Sequence, residues 1–219
     1  MERSKKGRVM ELVNLVLGFI EAMSWAERVS IFTGLIYIVL SVRQKPLCWP
    51  IGIISVGIWM VVVFNGKLYM DAFLQFVYVV LGFYGWWQWL RGGEDQTPLP
   101  VRTVSRALAV KLAVIGVVAT LIFGYISQNI LDAAFPWLDT VTTVISLTAQ
   151  YLLARKYLEN WILWIVADVM YIYIYFAKGW TGYSWLMAVY TIMAVVGLYS
   201  WYKSMRAEGV EAEGKCQTA

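Results

Sequence analysis

The chain contains no histidine and only two cysteines among its 219 residues. The lack of histidine excludes imidazole metal sites, serine–histidine hydrolysis and histidine proton relays. Cys48 and Cys216 cannot build a disulfide framework, so cysteine usage does not indicate a redox compartment. The sequence also shows no glycine-rich phosphate loop and no paired-carboxylate motif. We therefore predict that the protein is not an enzyme and that it uses no metal or cofactor.

Charged residues are also scarce, and long apolar runs take their place. They make up 15% of the chain and hydrophobic residues 60%, against about 25% and roughly 45–50% in soluble domains. The apolar runs are roughly 17–23 residues long, which is the length that crosses a bilayer. The predicted fold class is therefore an all-α integral membrane protein with seven transmembrane helices. The predicted spans are 27–43, 48–64, 69–91, 107–127, 139–155, 161–177 and 180–202.

The two ends of the chain differ from these spans. Residues 1–24 are interpreted as a basic tail followed by an N-terminal amphipathic helix, because apolar residues fall at helical spacing in 9–23. An eighth crossing at 9–23 is the alternative. Residues 203–219 are interpreted as a polar, disordered C-terminal tail.

An internal repeat organises the chain. When the sequence is shifted by 112 residues, 29–89 aligns without a gap with 141–201, and 12 of those 61 positions are identical. Each repeat holds three spans, and one additional span separates them. Three spans plus one linker span make an even number, so both repeats enter the membrane from the same side. They are therefore predicted to be parallel repeats related by an axis along the membrane normal. The predicted 3+1+3 units are a first repeat at 25–91, a loop and linker helix at 92–138, and a second repeat at 139–202.

Basic residues predict the orientation in the membrane. Most of those that flank the spans fall on one side, which we expect to be cytoplasmic together with the C-terminus. The basic N-terminal tail fits this orientation only if 9–23 crosses the membrane. The residues on the predicted cytoplasmic side are Arg43, Lys45, Arg91, Arg102, Arg106, Arg155, Lys156, Lys203 and Arg206.

One polar face stands out, in the segment that begins with ENWILW at 159–164. Asn160, Trp164 and Asp168 are spaced four residues apart and share a helix face, with Trp161 beside them. A carboxylate near the middle of a bilayer costs a few kcal/mol on insertion scales, so it should face water or the bundle interior. We predict that this face contacts a substrate; a purely structural pairing of Asp168 is the alternative.

Further candidates lie on other spans. Gln75 and Tyr78 share a face of the third span, and Tyr190 is the repeat counterpart of Tyr78. Trp49, the counterpart of Trp161, completes the predicted substrate site of Trp49, Gln75, Tyr78, Asn160, Trp161, Trp164, Asp168 and Tyr190. Gln75 could instead bond a neighbouring helix. Tryptophans at helix ends are also typical of the interfacial belt, and this interpretation applies to Trp49, Trp86, Trp87, Trp89, Trp180 and Trp201.

The predicted lining restricts the cargo. No lysine or arginine lies deep in a predicted span. Lys111 lies in the first turn of the fourth span, and its long side chain can reach outward to the membrane surface. An anionic substrate would therefore lack a countercharge. Aromatic faces with a carboxylate and amide groups favour a flat, neutral or cationic ring that bears hydroxyl groups.

Several stretches resemble the PnuC vitamin transporters, especially the nicotinamide riboside group. They are RKYLENWILW at 155–164, LYMDAFLQ at 68–75 and YGWWQW at 84–89, in a 3+1+3 arrangement. The resemblance implies uptake of nicotinamide riboside across a bacterial inner membrane by facilitated diffusion, with trapping by cytosolic phosphorylation. It also implies a homotrimer with one substrate site per protomer at the pseudo-twofold axis.

Other functions stay open at this point. Sister groups of the family transport thiamine or riboflavin. Some members have asparagine at the position of Asp168, which leaves the role of this carboxylate open. The chain could therefore be a proton-coupled symporter that uses Asp168, or a membrane receptor that binds the ligand without transporting it.

Overall fold

The structure, a computed structural model, describes residues 23–65, 69–130, 135–179 and 181–217, together with positions 10, 14, 18 and 21. These parts contain seven α-helices and a short 3-10 turn, Glu94–Gln96. The helices are α1 (Trp25–Val42), α2 (Cys48–Asn65), α3 (Tyr69–Arg91), α4 (Arg106–Asn129), α5 (Pro136–Ala154), α6 (Asn160–Ala177) and α7 (Thr181–Gln217).

The seven predicted helices are confirmed, and the bounds of α1–α6 lie within a few residues of the predicted ones. The prediction of a disordered tail at 203–219 was wrong over most of its length, because α7 continues through it to Gln217. Alanine, glutamate and lysine are frequent in this segment and favour helix. Most of the predicted amphipathic helix at 9–23 lies outside the described residues.

Three of the described helices are long and apolar enough, by length and composition, to cross a membrane. They are α4, α6 and the Thr181–Ala207 part of α7, while the apolar segment Cys48–Val61 of α2 is shorter. The helix α5 is not among these three, because its sequence is less apolar. This helix buries polar side chains, among them Thr142, Ser146 and Gln150, against its neighbours.

Six helices pack in a closed ring around the centre of the protein. Around the ring, α1 contacts α2, α2 contacts α3, α3 contacts α5, α5 contacts α6, α6 contacts α7, and α7 returns to α1. The fourth helix packs on α5 outside this ring and leaves most of its large apolar side chains exposed. The fourth helix therefore lies at the periphery of the protein, and the six ring helices enclose its centre.

Two short turns close one end of the ring. The second residue of each turn, 43–47 and 155–159, lies in the left-handed region; these residues are Gln44 (φ 55°) and Lys156 (φ 52°). The backbone amide of this left-handed residue donates to the carbonyl three residues before it. The amide of the following residue donates to the carbonyl five residues before it, and the two bonds together are the capping pattern of a helix C-terminus. We call this end of the bundle the base end. The opposite end, where α1 and α7 begin, is the mouth end.

The loop between α3 and α4 attaches to the base end. The Arg102 amide donates to the Lys156 carbonyl (3.1 Å), and the Leu158 amide donates to the Arg102 carbonyl (2.9 Å). The Val104 amide donates to the Glu159 carboxylate at 3.0 Å. These bonds hold the loop against the turn from which α6 begins.

Four tryptophans fill the base end of the ring, and we call Trp49, Trp89, Trp161 and Trp201 the base cluster. Each is at most 1% exposed. The rings of Trp49 and Trp89 meet edge to face at 5.5 Å, those of Trp161 and Trp201 meet in the same way at 5.4 Å, and Trp89 contacts Trp201 at 5.7 Å. The belt interpretation was therefore wrong for Trp49, Trp89 and Trp201, because their rings pack on one another inside the protein.

Polar bonds join the two sides of the base cluster. The indole N–H of Trp89 donates to the Leu153 carbonyl, and that of Trp201 donates to the Ser41 carbonyl, both at 3.0 Å. Lys156 is buried, lies 4.9 Å from the centre of the Trp89 ring and donates to the Gln44 side chain at 3.2 Å. The base end is thus closed by aromatic packing and by hydrogen bonds between α1–α3 and α5–α7.

Glycines make room for the cluster. A Cβ at Gly197 would lie 2.7 Å from ring atoms of Trp161, and one at Gly85 would overlap the Trp49 ring. Both positions therefore need glycine so that the helix backbone can touch an indole ring. The two pairs are separated by the same 112 residues as the sequence repeat.

Candidate functional site

A cavity of about 410 Å³ lies inside the ring, between the base cluster and the mouth end. Side chains from all six ring helices line it, and none from α4 does. At the mouth end its walls include the partly exposed Glu27 and Tyr183, whereas at the base end Trp49 and Trp161 are buried. The cavity thus leads from the mouth end down to a closed floor. Its volume is within the range of small-molecule sites, about 300–1,000 Å³.

The structure brings seven of the eight predicted site residues together around this cavity. The seven are Trp49, Gln75, Tyr78, Trp161, Trp164, Asp168 and Tyr190. They come from four different helices, so the predicted polar faces of separate spans do converge. Contact of these residues with a substrate stays a prediction.

Asn160 is the exception, because it does not line the cavity. Its side chain is fully buried at the start of α6, and its amide nitrogen donates to the Tyr157 carbonyl at 2.6 Å. The side-chain oxygen Oδ1 has no hydrogen-bond partner among the described residues. In this structure, Asn160 therefore fastens the turn before α6, and its predicted substrate contact would need Oδ1 to become accessible.

Asp168 is the deeper of two acidic residues in the cavity wall. It is 5% exposed, and the only other carboxylate among the described lining residues is Glu27. No lysine or arginine is among the described residues that line the cavity. Lys111 on α4 is exposed and lies away from this wall, as the sequence predicted. The described wall therefore offers acidic side chains as partners for a cation and no basic side chain as a partner for an anion.

Two lining residues that the sequence analysis missed connect α1 with α5. The Tyr37 hydroxyl and the Gln150 amide lie 3.3–3.4 Å apart, which is the long end of hydrogen-bond distance. A polar amide in the middle of a predicted span was a signal for Gln150. Tyr37 gave no such signal, since tyrosine is frequent throughout this chain.

Two indole donors lie buried in the floor of the cavity. The indole N–H groups of Trp49 and Trp161 are buried and have no partner among the described residues, although both residues line the cavity. Buried donors that lack a partner are costly, and each of these two would have to become accessible before a bound molecule with acceptor oxygens could satisfy it. The carboxylates, amide groups and aromatic rings that line the cavity suit a flat cation that bears hydroxyl groups.

The comparisons with known proteins agree with this geometry. Residues 24–203 match the model of the nicotinamide mononucleotide transporter family. The chain belongs to this family. The crystal structure of the vitamin B3 transporter PnuC is similar to this fold, with a TM-score of 0.70 and 25% sequence identity over 91% of this chain and 90% of that chain.

Curated relatives in the family are also transporters. The nicotinamide riboside transporter PnuC of Escherichia coli (strain K12) is 28% identical, over 87% of this chain and 90% of that protein. PnuC of Neisseria mucosa is 31% identical, over 84% and 74%. The riboflavin/roseoflavin transporter RibM of Streptomyces davaonensis is 27% identical, over 87% and 90%. The predictions of a PnuC-family chain and of a transporter rather than an enzyme are confirmed.

Proposed function

We propose that this member of the family takes up nicotinamide riboside by facilitated diffusion. Four of the matched relatives transport nicotinamide riboside according to their names. The observation that favours the riboside here is the wall of the cavity, which combines Asp168 with aromatic rings and contains no described basic residue. The pyridinium ring of the riboside is cationic and its ribose bears hydroxyl groups, so both parts find partners on this wall.

The same wall disfavours the 5′-phosphate of the riboside, nicotinamide mononucleotide. A phosphate would enter a low-dielectric cavity without a countercharge, beside two carboxylates. We expect nicotinamide riboside to raise the thermal midpoint of the purified protein and the mononucleotide to leave it unchanged at equal concentration. Equal stabilisation by both ligands would contradict the proposed role of the cavity wall.

Riboflavin is the second candidate substrate, because RibM is nearly as similar in sequence as the riboside transporters. Riboflavin is flat and bears hydroxyl groups, but its ring system is neutral, so the carboxylates would add less to its binding. The same thermal measurement should include riboflavin and thiamine. A larger shift with riboflavin than with the riboside would favour that substrate.

For the architecture we propose two parallel three-helix repeats, α1–α3 and α5–α7, joined by α4. The base cluster supports this proposal, since Trp49 with Trp89 and Trp161 with Trp201 make the same contact 112 residues apart. The bonds from Trp89 to Leu153 and from Trp201 to Ser41 are also exchanged by this shift. The pseudo-twofold axis would then pass between Trp89 and Trp201 and between Gln44 and Lys156.

Transport by such a bundle requires that the two ends open in turn. In this structure several hydrogen bonds between the proposed repeats lie at the base end. At the mouth end, the Tyr183 hydroxyl of the second repeat donates to Glu27 of the first repeat. We propose that the substrate enters from the mouth end and leaves after the base cluster separates. Phosphorylation of the riboside in the cytosol would then trap it.

We propose that the base end faces the cytoplasm, so that the C-terminus is inside a bacterial inner membrane. The basic residues of the turns 43–47 and 155–159 support this orientation. Cysteines introduced in the 92–105 loop and after residue 205 should resist a membrane-impermeant reagent in intact cells, and one introduced in 128–138 should react. Labelling of all three regions from outside would refute the orientation.

We also propose a homotrimer that contacts its copies or lipid through α4. The fourth helix exposes Val114, Val117, Leu121 and other apolar side chains along its length. Its position outside the ring keeps this contact separate from the cavity. Each protomer would therefore hold one complete substrate site.

A further inference from the structure

A second group of side chains lies at the mouth end of the cavity, above the predicted site. Glu27 stands in the first turn of α1, and its carboxylate accepts a hydrogen bond of 2.8 Å from the Tyr183 hydroxyl of α7. The Tyr183 ring contacts the Tyr175 ring of α6 at 5.8 Å, and Tyr175 stacks on Tyr171 at 5.7 Å with an angle of 14° between the rings. All four residues line the cavity.

The three tyrosines form a continuous aromatic wall between the two carboxylates. Tyr171 follows Asp168 on α6 by three residues and therefore lies one turn away from it. Glu27 lies at the opposite end of the wall, beside Tyr183. A flat cation that moves along this wall would keep a ring face beside it and would exchange one carboxylate for the other.

The Glu27 carboxylate keeps its charge available in spite of its bonds. One oxygen accepts from the backbone and hydroxyl of Ser24 (2.8 and 2.7 Å), and the other accepts from Tyr183. These donors are neutral, and a carboxylate can accept about four hydrogen bonds. The neighbouring Arg28 donates instead to the backbone carbonyls of Met23 and Glu21, and it does not line the cavity.

We propose that Glu27, Tyr183 and Tyr175 form a mouth site that captures cationic aromatic substrates before they reach the deep site beside Asp168. The proposal rests on the proposed transport of nicotinamide riboside. In this view Glu27 determines specificity, because it raises the local concentration of a cation and has no effect of this kind on a neutral ring. Its action is on the association rate, as is usual for a charge at the rim of a binding site.

The variant Glu27→Gln tests this role with little effect on the fold. Ser24 and Glu27 form a capping box, and glutamine can replace glutamate in that motif. The variant therefore removes the charge while it keeps the helix cap. Glu21→Gln is the matched control, since Glu21 is exposed near the same end and does not line the cavity. Ser24→Ala is the control for the cap itself.

The measurement is stopped-flow tryptophan fluorescence on the purified protein, with cationic nicotinamide riboside and with its reduced, neutral form. We expect Glu27→Gln to lower the association rate constant of the cationic riboside by about three- to tenfold at low salt. The dissociation rate constant should change little. The loss should shrink in about 0.5 M salt, where charges are screened within a few ångströms. The neutral riboside should associate equally fast with both proteins, and Glu21→Gln should behave as wild type.

Other results would overturn the proposal. An equal loss for both ribosides, or the same loss in Ser24→Ala, would show that Glu27 acts through the helix cap. Unchanged rates in Glu27→Gln would show that the mouth carboxylate captures nothing. If the wild-type protein binds no riboside, the proposed function is wrong and the mouth site fails with it. If the wild-type protein binds the riboside but Glu27→Gln leaves the rates unchanged, only the mouth site is wrong.

Discussion

Replacement of Trp164 with leucine should weaken the binding of nicotinamide riboside by about 1–2 kcal/mol, the range of a partly desolvated contact between a cation and an indole ring. This corresponds to roughly a five- to thirtyfold rise in Kd. Trp164 lines the cavity one helical turn from Asp168, so its ring can lie against the pyridinium while the carboxylate balances the charge. Titration calorimetry on the purified variant measures the change.

Trp185→Leu is the matched control for this variant. Trp185 lies on α7, is 64% exposed and does not line the cavity. The control should therefore bind the riboside as tightly as wild type. A Kd that is unchanged in Trp164→Leu, or raised equally in both variants, would place the aromatic contact elsewhere.

The second large effect should fall on stability. Trp89→Ala is expected to lower the free energy of unfolding by about 3–5 kcal/mol, which is usual for the loss of a buried aromatic side chain. The variant removes the contacts with Trp49 and Trp201, the bond to the Leu153 carbonyl and the interaction with Lys156. The thermal midpoint in detergent should fall by roughly ten degrees.

Trp87→Ala serves as the comparison in the same helix. Trp87 is 56% exposed, and so its removal should change the thermal midpoint much less. Similar losses in the two variants would contradict the conclusion that the base cluster joins the two proposed repeats. Wild-type stability in Trp89→Ala would contradict it more directly.

Much of the fold could be predicted from the sequence, because length and hydropathy determine where a chain crosses a bilayer. The bounds of α1–α6 follow the apolar runs closely. The end of α7 could not be predicted in this way, since a polar helix outside the membrane has no hydropathy signal. The base cluster was missed for a different reason: a tryptophan near a helix end fits the bilayer surface and the bundle interior equally well until the neighbouring helices are placed.

The candidate site was predicted from helix faces, and the structure brings most of these faces to one cavity. Asp168, Gln75 and Tyr78 all line the cavity. By its spacing, Asn160 shares the helix face of Asp168. It is, however, the first residue of α6, and its side-chain amide donates a hydrogen bond to the Tyr157 carbonyl of the preceding turn. Glu27 was missed because a glutamate near a helix start fits a capping box, and it does make one.

The central claim is that the cavity passes nicotinamide riboside through the membrane without a driving ion. Uptake of labelled riboside into sealed proteoliposomes, with no proton, sodium or voltage gradient, tests it most directly. We predict protein-dependent uptake that stops when the internal and external concentrations are equal, and an initial rate that gradients leave unchanged. Binding without uptake would indicate a receptor, and uptake only in the presence of a proton gradient would indicate a symporter that uses Asp168; either result would contradict the claim.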